Sequence, residues 1–478
     1  MISPYALIYL VAHMVPAIIG FFALILYTHL LSPAEYGIYV IGMSMAGIIA
    51  AMFFAWVRLS VSRYQARSPE LDLRAEAIVA YGATVVIIAC LTPILLLIVR
   101  PNIGFGLVAG SLFLSLSLTA FEISQEFRRA QLNPLRFTII AVTRSSLALT
   151  LGYVVIKLGG GGLGLLVAIG ASFLIANVLS FPRKTAKPLR LLSVEYLAQF
   201  IRYGLPFSLG ALAISLHGAL DRLGVAYLLG QSGAGYYGLA ADMTRQILNL
   251  LAGSVASAMF PIVFRSFTAT GATATRERLK EGAELLLALI TPVTVWLAMS
   301  ADVVAGTLLG AEFQTSVAAL LPLLVIGRMC GAINQFYLQV SFQLAEKPLL
   351  QVAHDSLILV LNLALLFPLT LAFGLPGTAA AVLIAEALGI LIGIWLSRKA
   401  FRLPFNGWGM ARVFASTALL AGATYVAKTT AGGQGLLALL SMAGAGGLAY
   451  ATAALLFDVA GIRSSIAAFL WPRSVAAE

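Results

Sequence analysis

Apolar runs long enough to cross a membrane dominate this chain of 478 residues. A bilayer core needs about 20 apolar residues per helix, and counting such runs predicts fourteen spans. The composition agrees, because 60% of the residues are hydrophobic and 10% are charged, against about 25% charged in a soluble domain. We therefore predict an all-α polytopic membrane protein with no soluble domain, whose first apolar run is a span and not a cleavable signal peptide. The predicted spans are 6–31, 36–57, 77–99, 103–121, 137–156, 162–181, 199–229, 235–263, 283–300, 316–340, 355–373, 376–397, 410–427 and 436–457.

The basic residues predict how these helices are oriented. Of the 30 lysines and arginines, 23 fall in alternate loops, three fall in the intervening loops and four lie inside predicted spans. Basic loops favour the cytoplasmic side of a membrane, so this split predicts that both termini are cytoplasmic. The same distribution accounts for the net charge of +11, and we predict no nucleic-acid partner.

Two short turns in different halves of the chain share a sequence pattern. The turn at 32–37 reads SPAEYG and the turn at 229–238 ends in GYYG, and each enters the next span through Tyr-Gly. The pattern predicts two six-helix bundles in the same orientation, as in parallel repeats, although Tyr-Gly could also recur by chance. The predicted divisions are an N-terminal bundle at 1–181, a basic cytoplasmic linker at 182–198, a C-terminal bundle at 199–400, and two additional helices with a cytoplasmic tail at 401–478.

Several segments resemble those of one transporter superfamily. Residues 31–39 (LSPAEYGIY), 203–206 (YGLP) and the pair Asp221 and Arg222 followed by 235–238 (GYYG) are similar to the signature of polysaccharide transporters. In this order they resemble the O-antigen flippase branch of the multidrug/oligosaccharidyl-lipid/polysaccharide (MOP) exporter superfamily.

That resemblance implies a function and a place in the cell. Such a transporter flips an undecaprenyl-pyrophosphate-linked oligosaccharide from the cytoplasmic to the outer leaflet by alternating access. The flipped glycan is used for surface polymers such as lipopolysaccharide or exopolysaccharide. The resemblance implies a multi-pass protein of the bacterial cytoplasmic (inner) membrane. The partners it suggests are the lipid-linked glycan, the lipid bilayer, a polysaccharide polymerase and a chain-length regulator.

Four arginines lie inside predicted spans: Arg144, Arg222, Arg245 and Arg328. A charged side chain at the bilayer centre costs about 2.5–3.5 kcal/mol on insertion scales, so we predict that they line a polar pathway for an anionic substrate. A guanidinium group matches phosphate through its planar set of donors, and the substrate implied by the resemblance carries a pyrophosphate. The alternative interpretation is that these arginines form interhelical ion pairs that hold the bundles together.

The surroundings of the four arginines rank them as substrate contacts. Arg144 and Arg328 have no acidic residue within one helical turn, and we predict that they form a pyrophosphate clamp with one arginine from each bundle. Arg222 is a predicted third contact, since adjacent helical residues such as Asp221 point about 100° apart and need not pair with it.

Two acidic residues give further predictions. Asp242 precedes Arg245 by three residues and lies on the same helix face, so this pair is either a structural ion pair or part of the cavity. Glu386 has no neighbouring base in its own span. It is predicted to pair with Arg328, or to be a proton or sodium site that couples transport to an ion gradient.

The sequence gives no indication of catalysis. It contains no Walker A, HExxH or Cys/His metal-binding spacing and no catalytic triad candidate, so we predict no enzyme activity, no cofactor and no metal. The G-x-G-x-x-G match at 159–164 lacks the βαβ context that gives it meaning. Cys90 and Cys330 are predicted to be ordinary core residues, because they fall in apolar runs.

Two other functions remain open at this point. A cation-coupled multidrug exporter of the same superfamily would carry acidic cavities and usually twelve spans, whereas the deep charge here is net positive. A membrane-embedded polysaccharide polymerase or glycosyltransferase would place catalytic residues on a large periplasmic loop. The longest such loop predicted here, about 301–315, holds only Asp302 and Glu312 as acidic residues.

Overall fold

A computed structural model of the chain describes residues 4–67, 72–99, 104–130, 134–180, 193–430, 433 and 435–463. Every regular element in these ranges is a helix, which confirms the all-α membrane fold. Most of the basic linker predicted at 182–198 lies outside the described residues. Ten helices in the described ranges are long and apolar enough to cross a membrane. The count of fourteen spans and the cytoplasmic termini therefore stay predictions.

The helices follow one another with short connections. In chain order they are α1 (Pro4–Thr28), α2 (Pro33–Ile49), a π-helical turn (Ala50–Phe54), α3 (Ala55–Arg67), α4 (Arg74–Val99), α5 (Phe105–Ala130), α6 (Pro134–Lys157), α7 (Gly161–Ser180), α8 (Val194–Met299), α9 (Ala301–Leu308), α10 (Ala311–Ile333), a second π-helical turn (Asn334–Leu338), α11 (Gln339–Leu344), α12 (Pro348–Ser397), α13 (Gly407–Thr430) and α14 (Leu436–Leu456), with a final 3₁₀ turn at Val459–Gly461.

The long helical segment α8 is not straight. Gly230 and Gly271 have positive φ angles of 75° and 80°, a conformation that glycine adopts without steric cost. The Tyr237 hydroxyl donates to Asp221 over 3.1 Å, although 16 residues of straight helix would span about 24 Å. The chain therefore folds back at Gly230, between the spans predicted at 199–229 and 235–263.

Helix α12 contains a similar break. Gly374 has φ 63° and ψ −141°, and the hydroxyls of Thr370 and Thr378 lie 2.8 Å apart across it. The break falls between the spans predicted at 355–373 and 376–397, which are thus helical on both sides of a glycine turn.

The helices divide into two compact units, Met1–Gly238 and Leu239–Glu478. In the first unit, α5, α6 and α7 pack together, and α2 lies against α5 and α7. The start of α8 belongs to this unit, because the Ser60 hydroxyl donates to the Phe200 carbonyl oxygen over 3.0 Å and Tyr64 stacks on Phe200. The boundary between the two compact units, after Gly238, differs from the boundary between the two predicted six-helix bundles, 1–181 and 199–400. The division into two bundles stays a prediction.

The two turns that share the Tyr-Gly pattern meet within the first unit. A Cβ atom added to Gly37 would overlap the Gln231 carbonyl oxygen, and one added to Gly235 would overlap the Pro33 carbonyl oxygen. Each added Cβ would also lie 3.1 Å from the backbone nitrogen of the other glycine. The contact is reciprocal, because each glycine faces the carbonyl oxygen of the residue four positions before the other glycine. This symmetry is expected if the two turns occupy equivalent positions.

The first of these turns is fixed locally by its own sequence. Ser32 is the N-cap of α2, and its side chain and that of Glu35 form a capping box with the backbone. Such a box satisfies two backbone donors that a helix start leaves without partners. Pro33 follows at the first helical position, where proline needs no hydrogen bond.

In the second unit, the pair of C-terminal helices α13 and α14 is fastened by a buried carboxylate. Glu284 is 7% exposed and accepts hydrogen bonds from the Asn406 side-chain amide over 3.1 Å and the Ala460 backbone N–H over 2.9 Å. One turn later in α8, the Ala288 carbonyl accepts from the Tyr450 hydroxyl over 2.6 Å. The two predicted additional helices, α13 and α14, therefore belong to the second unit and are attached there to α8.

Replacing Glu284 by alanine is expected to lower the free energy of unfolding by about 1–2 kcal/mol, because it leaves the half-buried donors of Asn406 and Ala460 without this acceptor. Thermal unfolding of the purified protein in detergent measures the loss. Glu281→Ala is the matched control, since Glu281 lies nearby in α8 with a 65% exposed side chain. An equal change in both variants would contradict the role assigned to Glu284.

A second attachment lies at the other end of α13. The Lys428 ammonium donates to Asp302 over 2.7 Å and to the Met299 carbonyl over 2.9 Å. Burial alone would raise the pKa of Asp302, but hydrogen bonds from Lys428 and the backbone outweigh it and hold the pKa below its usual range. A lowered carboxyl pKa stabilises the fold above the unfolded pKa of about 3.9, and this contribution is lost as the pH falls further.

Three expectations from the sequence differ from the structure. The segment 301–315 was expected to be a loop, but its first part is the helix α9. Cys330 is buried as predicted, whereas Cys90 is exposed, so it is not a core residue. Helices α3 and α5 run on to Arg67 and Ala130, beyond the span ends predicted at 57 and 121, because a helix can continue past the point where its sequence stops being apolar.

Candidate functional site

Arg144 lies near the middle of α6 and is held by an aromatic ring. Its guanidinium carbon is 4.8 Å from the centre of the Phe173 ring in α7, and its Nη2 donates to the Ser145 hydroxyl over 2.7 Å. Phe173 in turn packs edge-on against Phe121 of α5, with ring centres 5.3 Å apart. Cation–π contacts of desolvated groups are worth about 2 kcal/mol, so this seat offsets part of the cost of a charge inside a membrane.

The charge of Arg144 has no carboxylate partner in the part of the chain that the structure describes. Its only hydrogen bond to a described residue uses one of the five N–H groups of a guanidinium. The side chain is half-buried, and its other four N–H groups make no hydrogen bond to a described residue. The role of Arg144 in substrate binding stays a prediction.

Arg222 and Asp221 lie deep in the first unit, on the segment of α8 that precedes Gly230. Asp221 is 2% exposed and Arg222 is 7% exposed. Asp221 accepts the hydrogen bond from Tyr237, which ties its carboxylate to the far side of the glycine turn. Arg222 is buried in this conformation, and its predicted contact with substrate would require it to become accessible.

Arg245 and Asp242 form the ion pair that their spacing predicts. The Arg245 Nη2 lies 2.8 Å from the Asp242 Oδ1, with the arginine side chain 43% exposed. Exposed pairs of this kind are worth about 0.2–1 kcal/mol. The pairing leaves open whether Arg245 also contacts substrate.

Glu386 is buried in α12 and is bound by Asn334. The Asn334 side-chain amide donates to the Glu386 Oε2 over 2.8 Å and to its backbone carbonyl over 2.9 Å. A Cβ added to Gly331 would lie 3.1 Å from the Glu386 Oε1, so the carboxylate faces α10 one turn after Arg328. The predicted pairing of Glu386 with Arg328 and the alternative of an ion-coupling site both stay open.

The four arginines fall into both compact units. Arg144 and Arg222 belong to the first unit, and Arg245 and Arg328 belong to the second. A clamp made by Arg144 with Arg328 therefore stays a prediction.

The structure also contains a cavity that the sequence did not reveal. It has a volume of about 280 Å³ and lies in the first unit, against the π-helical turn Ala50–Phe54, helix α5 and the start of α8. Arg58 and Glu122 line it, with the Arg58 Nη1 and the Glu122 Oε2 3.6 Å apart. The predicted spans end at 57 and 121, which places Arg58 and Glu122 at the first positions of predicted cytoplasmic loops. A π-helical turn is often found at functional sites, but no sequence pattern predicts where one will form.

Comparison with known proteins defines the class first. The fold is that of MOP superfamily transporters. The lipid II flippase MurJ in an inward closed conformation aligns with a TM-score of 0.73 at 15% identity, over 93% of this chain and 97% of that one. An inward-facing multidrug resistance MATE family transporter aligns with a TM-score of 0.66 at 16% identity, over 80% and 94%. A MOP superfamily transporter from Pyrococcus furiosus, described as having a binding pocket of reverse polarity, aligns with a TM-score of 0.54 at 15% identity, over 82% and 93%.

The family follows from the sequence. The chain belongs to the polysaccharide biosynthesis protein family, whose sequence model matches residues 5–267. This confirms the superfamily indicated by the sequence resemblance. No curated protein matches the chain. The structural likenesses, at 15–16% identity, show the shared fold and leave the substrate open.

Proposed function

We propose that this protein flips an undecaprenyl-pyrophosphate-linked oligosaccharide across the bacterial inner membrane by alternating access. The glycan would serve lipopolysaccharide or exopolysaccharide assembly. Membership of the polysaccharide biosynthesis family supports a glycan substrate. The fold shared with a lipid II flippase supports a lipid carrier for that glycan.

The environment of Arg144 is the main structural support for this proposal. A guanidinium without a carboxylate partner among the described residues lies inside an apolar helix on a phenylalanine ring. A charge inside the membrane raises the free energy of the protein. Charge-assisted hydrogen bonds to a ligand with two phosphates would offset this cost. The ring lies against the guanidinium, and the N–H groups other than the one donated to Ser145 would bind phosphate oxygens.

The remaining site residues have supporting roles in this proposal. Arg328 is the partner of Arg144 in a pyrophosphate clamp, and Arg222 joins when it becomes accessible. Arg245 with Asp242 is foremost a structural pair, given its short ion pair. Glu386 balances the charge of Arg328, and Asp221 fixes the α8 turn through Tyr237. Two six-helix repeats would supply the alternating access, and a polymerase with its chain-length regulator would take the flipped glycan.

A gene deletion tests the proposal. Deletion is expected to stop surface polymer formation and to accumulate lipid-linked glycan that is accessible only from the cytoplasmic face. Re-expression of the full chain should restore the polymer. Unchanged polymer in the deletion strain would refute the proposal.

The same strain tests the alternatives. A drug exporter of the superfamily remains a candidate because MATE transporters share the fold, and it predicts altered drug sensitivity with normal polymer. A polymerase or glycosyltransferase predicts that lipid-linked repeat units accumulate on the outer face instead.

A further inference from the structure

The cavity beside the π-helical turn has the size of a subsite for one small group. Its volume of about 280 Å³ is at the lower end of the roughly 300–1,000 Å³ found for ligand pockets. Small residues create the space on the α2 side and at the start of α8: Gly47, Ala50, Ala51, Ala55 and Ala211. The volume suits a single ring of a glycan and not a whole oligosaccharide.

The two charged side chains of the cavity are partly exposed. The Arg58 and Glu122 side chains are 38% and 36% exposed, although their helices are packed in the first unit. Their 3.6 Å separation is longer than a hydrogen bond. In the described part of the chain these two side chains form an ion pair with each other but make no hydrogen bond, so a ligand could bind their N–H groups and carboxylate oxygens. The hydroxyls of Thr119 and Ser215 complete the polar lining.

The charge of the cavity discriminates between possible ligands. Arg58 and Glu122 sum to zero, and a carboxylate 3.6 Å from the guanidinium would repel any phosphate that the guanidinium attracts. A sugar ring is uncharged, and each of its hydroxyls both donates and accepts. Adjacent strong donors and strong acceptors are what such a ligand needs. Arg144 is the more favourable site for phosphate, because the described residues place no carboxylate within ion-pair distance of it.

We propose that this cavity is a sugar subsite that holds one uncharged sugar ring of the glycan. The Arg58 guanidinium donates to sugar oxygens, and the Glu122 carboxylate accepts from sugar hydroxyls. On the predicted topology both residues lie toward the cytoplasmic side, where the substrate would be loaded. The inference rests on the proposed function and adds a recognition element for the glycan, separate from recognition of the pyrophosphate.

Binding to the full chain in lipid nanodiscs tests the subsite. The two probes are undecaprenyl pyrophosphate without glycan and the native lipid-linked glycan extracted from membranes of the deletion strain. Glu122→Gln and Arg58→Gln are each expected to weaken binding of the glycan-bearing lipid about tenfold, as the loss of a hydrogen bond to a charged group does. Binding of the glycan-free lipid should stay within about twofold.

Further variants separate binding from folding. Ala211→Phe fills the cavity without removing either charge, and it should cause the same selective loss. Glu281→Gln is the control, because it removes a carboxylate from an exposed pair with Arg278.

The outcomes distinguish this inference from the proposed function. Unchanged binding of the glycan-bearing lipid by the Glu122 and Ala211 variants would overturn the sugar subsite. Weaker binding of the glycan-free lipid by Arg58→Gln, or tighter binding of it by Glu122→Gln, would make the cavity a phosphate site and overturn the inference while the flippase function stands. A wild-type protein that binds neither lipid would overturn the flippase function itself.

Discussion

Arg144→Ala is expected to lower glycan export by about two orders of magnitude. A bidentate guanidinium–phosphate contact makes two charge-assisted hydrogen bonds, each worth about 1.5–3 kcal/mol, and a loss of 3 kcal/mol corresponds to more than a hundredfold. Removing a charge from an apolar helix does not destabilise the protein by itself, since the charge is costly there. Polymer export in the deletion strain complemented with the variant measures the effect, with membrane protein level as the check on folding.

Conservative variants sharpen this expectation. Arg144→Lys keeps the charge but loses the planar donors, so export should be intermediate. Phe173→Leu removes the ring beneath the guanidinium and should weaken export when Arg144 is present, but have no further effect in the Arg144→Ala background. Normal export by Arg144→Ala at normal protein level would remove Arg144 from the pathway.

Gly37→Val is the second change with a large expected effect. The added side chain would overlap the Gln231 carbonyl oxygen, which is backbone and cannot rotate away. The two turns must then separate, and overpacking of this kind typically costs 1–3 kcal/mol or more. We expect a lower unfolding temperature of the purified protein and strongly reduced export.

The reciprocity of this contact provides its own control. Gly235→Val should act like Gly37→Val, and the double variant should be little worse than either single variant, because the first substitution already separates the turns. Gly210→Ala is the neutral comparison, since an added Cβ there meets nothing within 4 Å. Additive losses in the double variant would show that the two glycines act independently.

Features set by local sequence were predictable. Helices follow from the apolar runs, and the bends of α8 and α12 fall where glycine separates two such runs. The Asp242–Arg245 pair was predictable because residues three apart share a helix face. The capping box at Ser32 and Glu35 is likewise a local pattern.

Features set by tertiary contact were not predictable. Phe173 lies under Arg144 because α6 packs on α7, and nothing in either segment specifies that register. Arg58 and Glu122 were assigned to loops because charge marks the end of an apolar run, yet their helices continue and bring them together. The shared Tyr-Gly pattern predicted two equivalent turns, but not that Gly37 and Gly235 would touch.

Transfer of lipid-linked glycan between leaflets of proteoliposomes tests the central claim most directly. The purified protein is reconstituted with the native undecaprenyl-pyrophosphate-linked glycan, and an added membrane-impermeant glycan-cleaving enzyme reports how much lipid is accessible from outside. We predict that wild-type protein makes the protected inner-leaflet pool accessible and that Arg144→Ala leaves it protected. Transfer by wild-type protein no faster than in protein-free liposomes, or equally fast transfer by Arg144→Ala, would contradict this account.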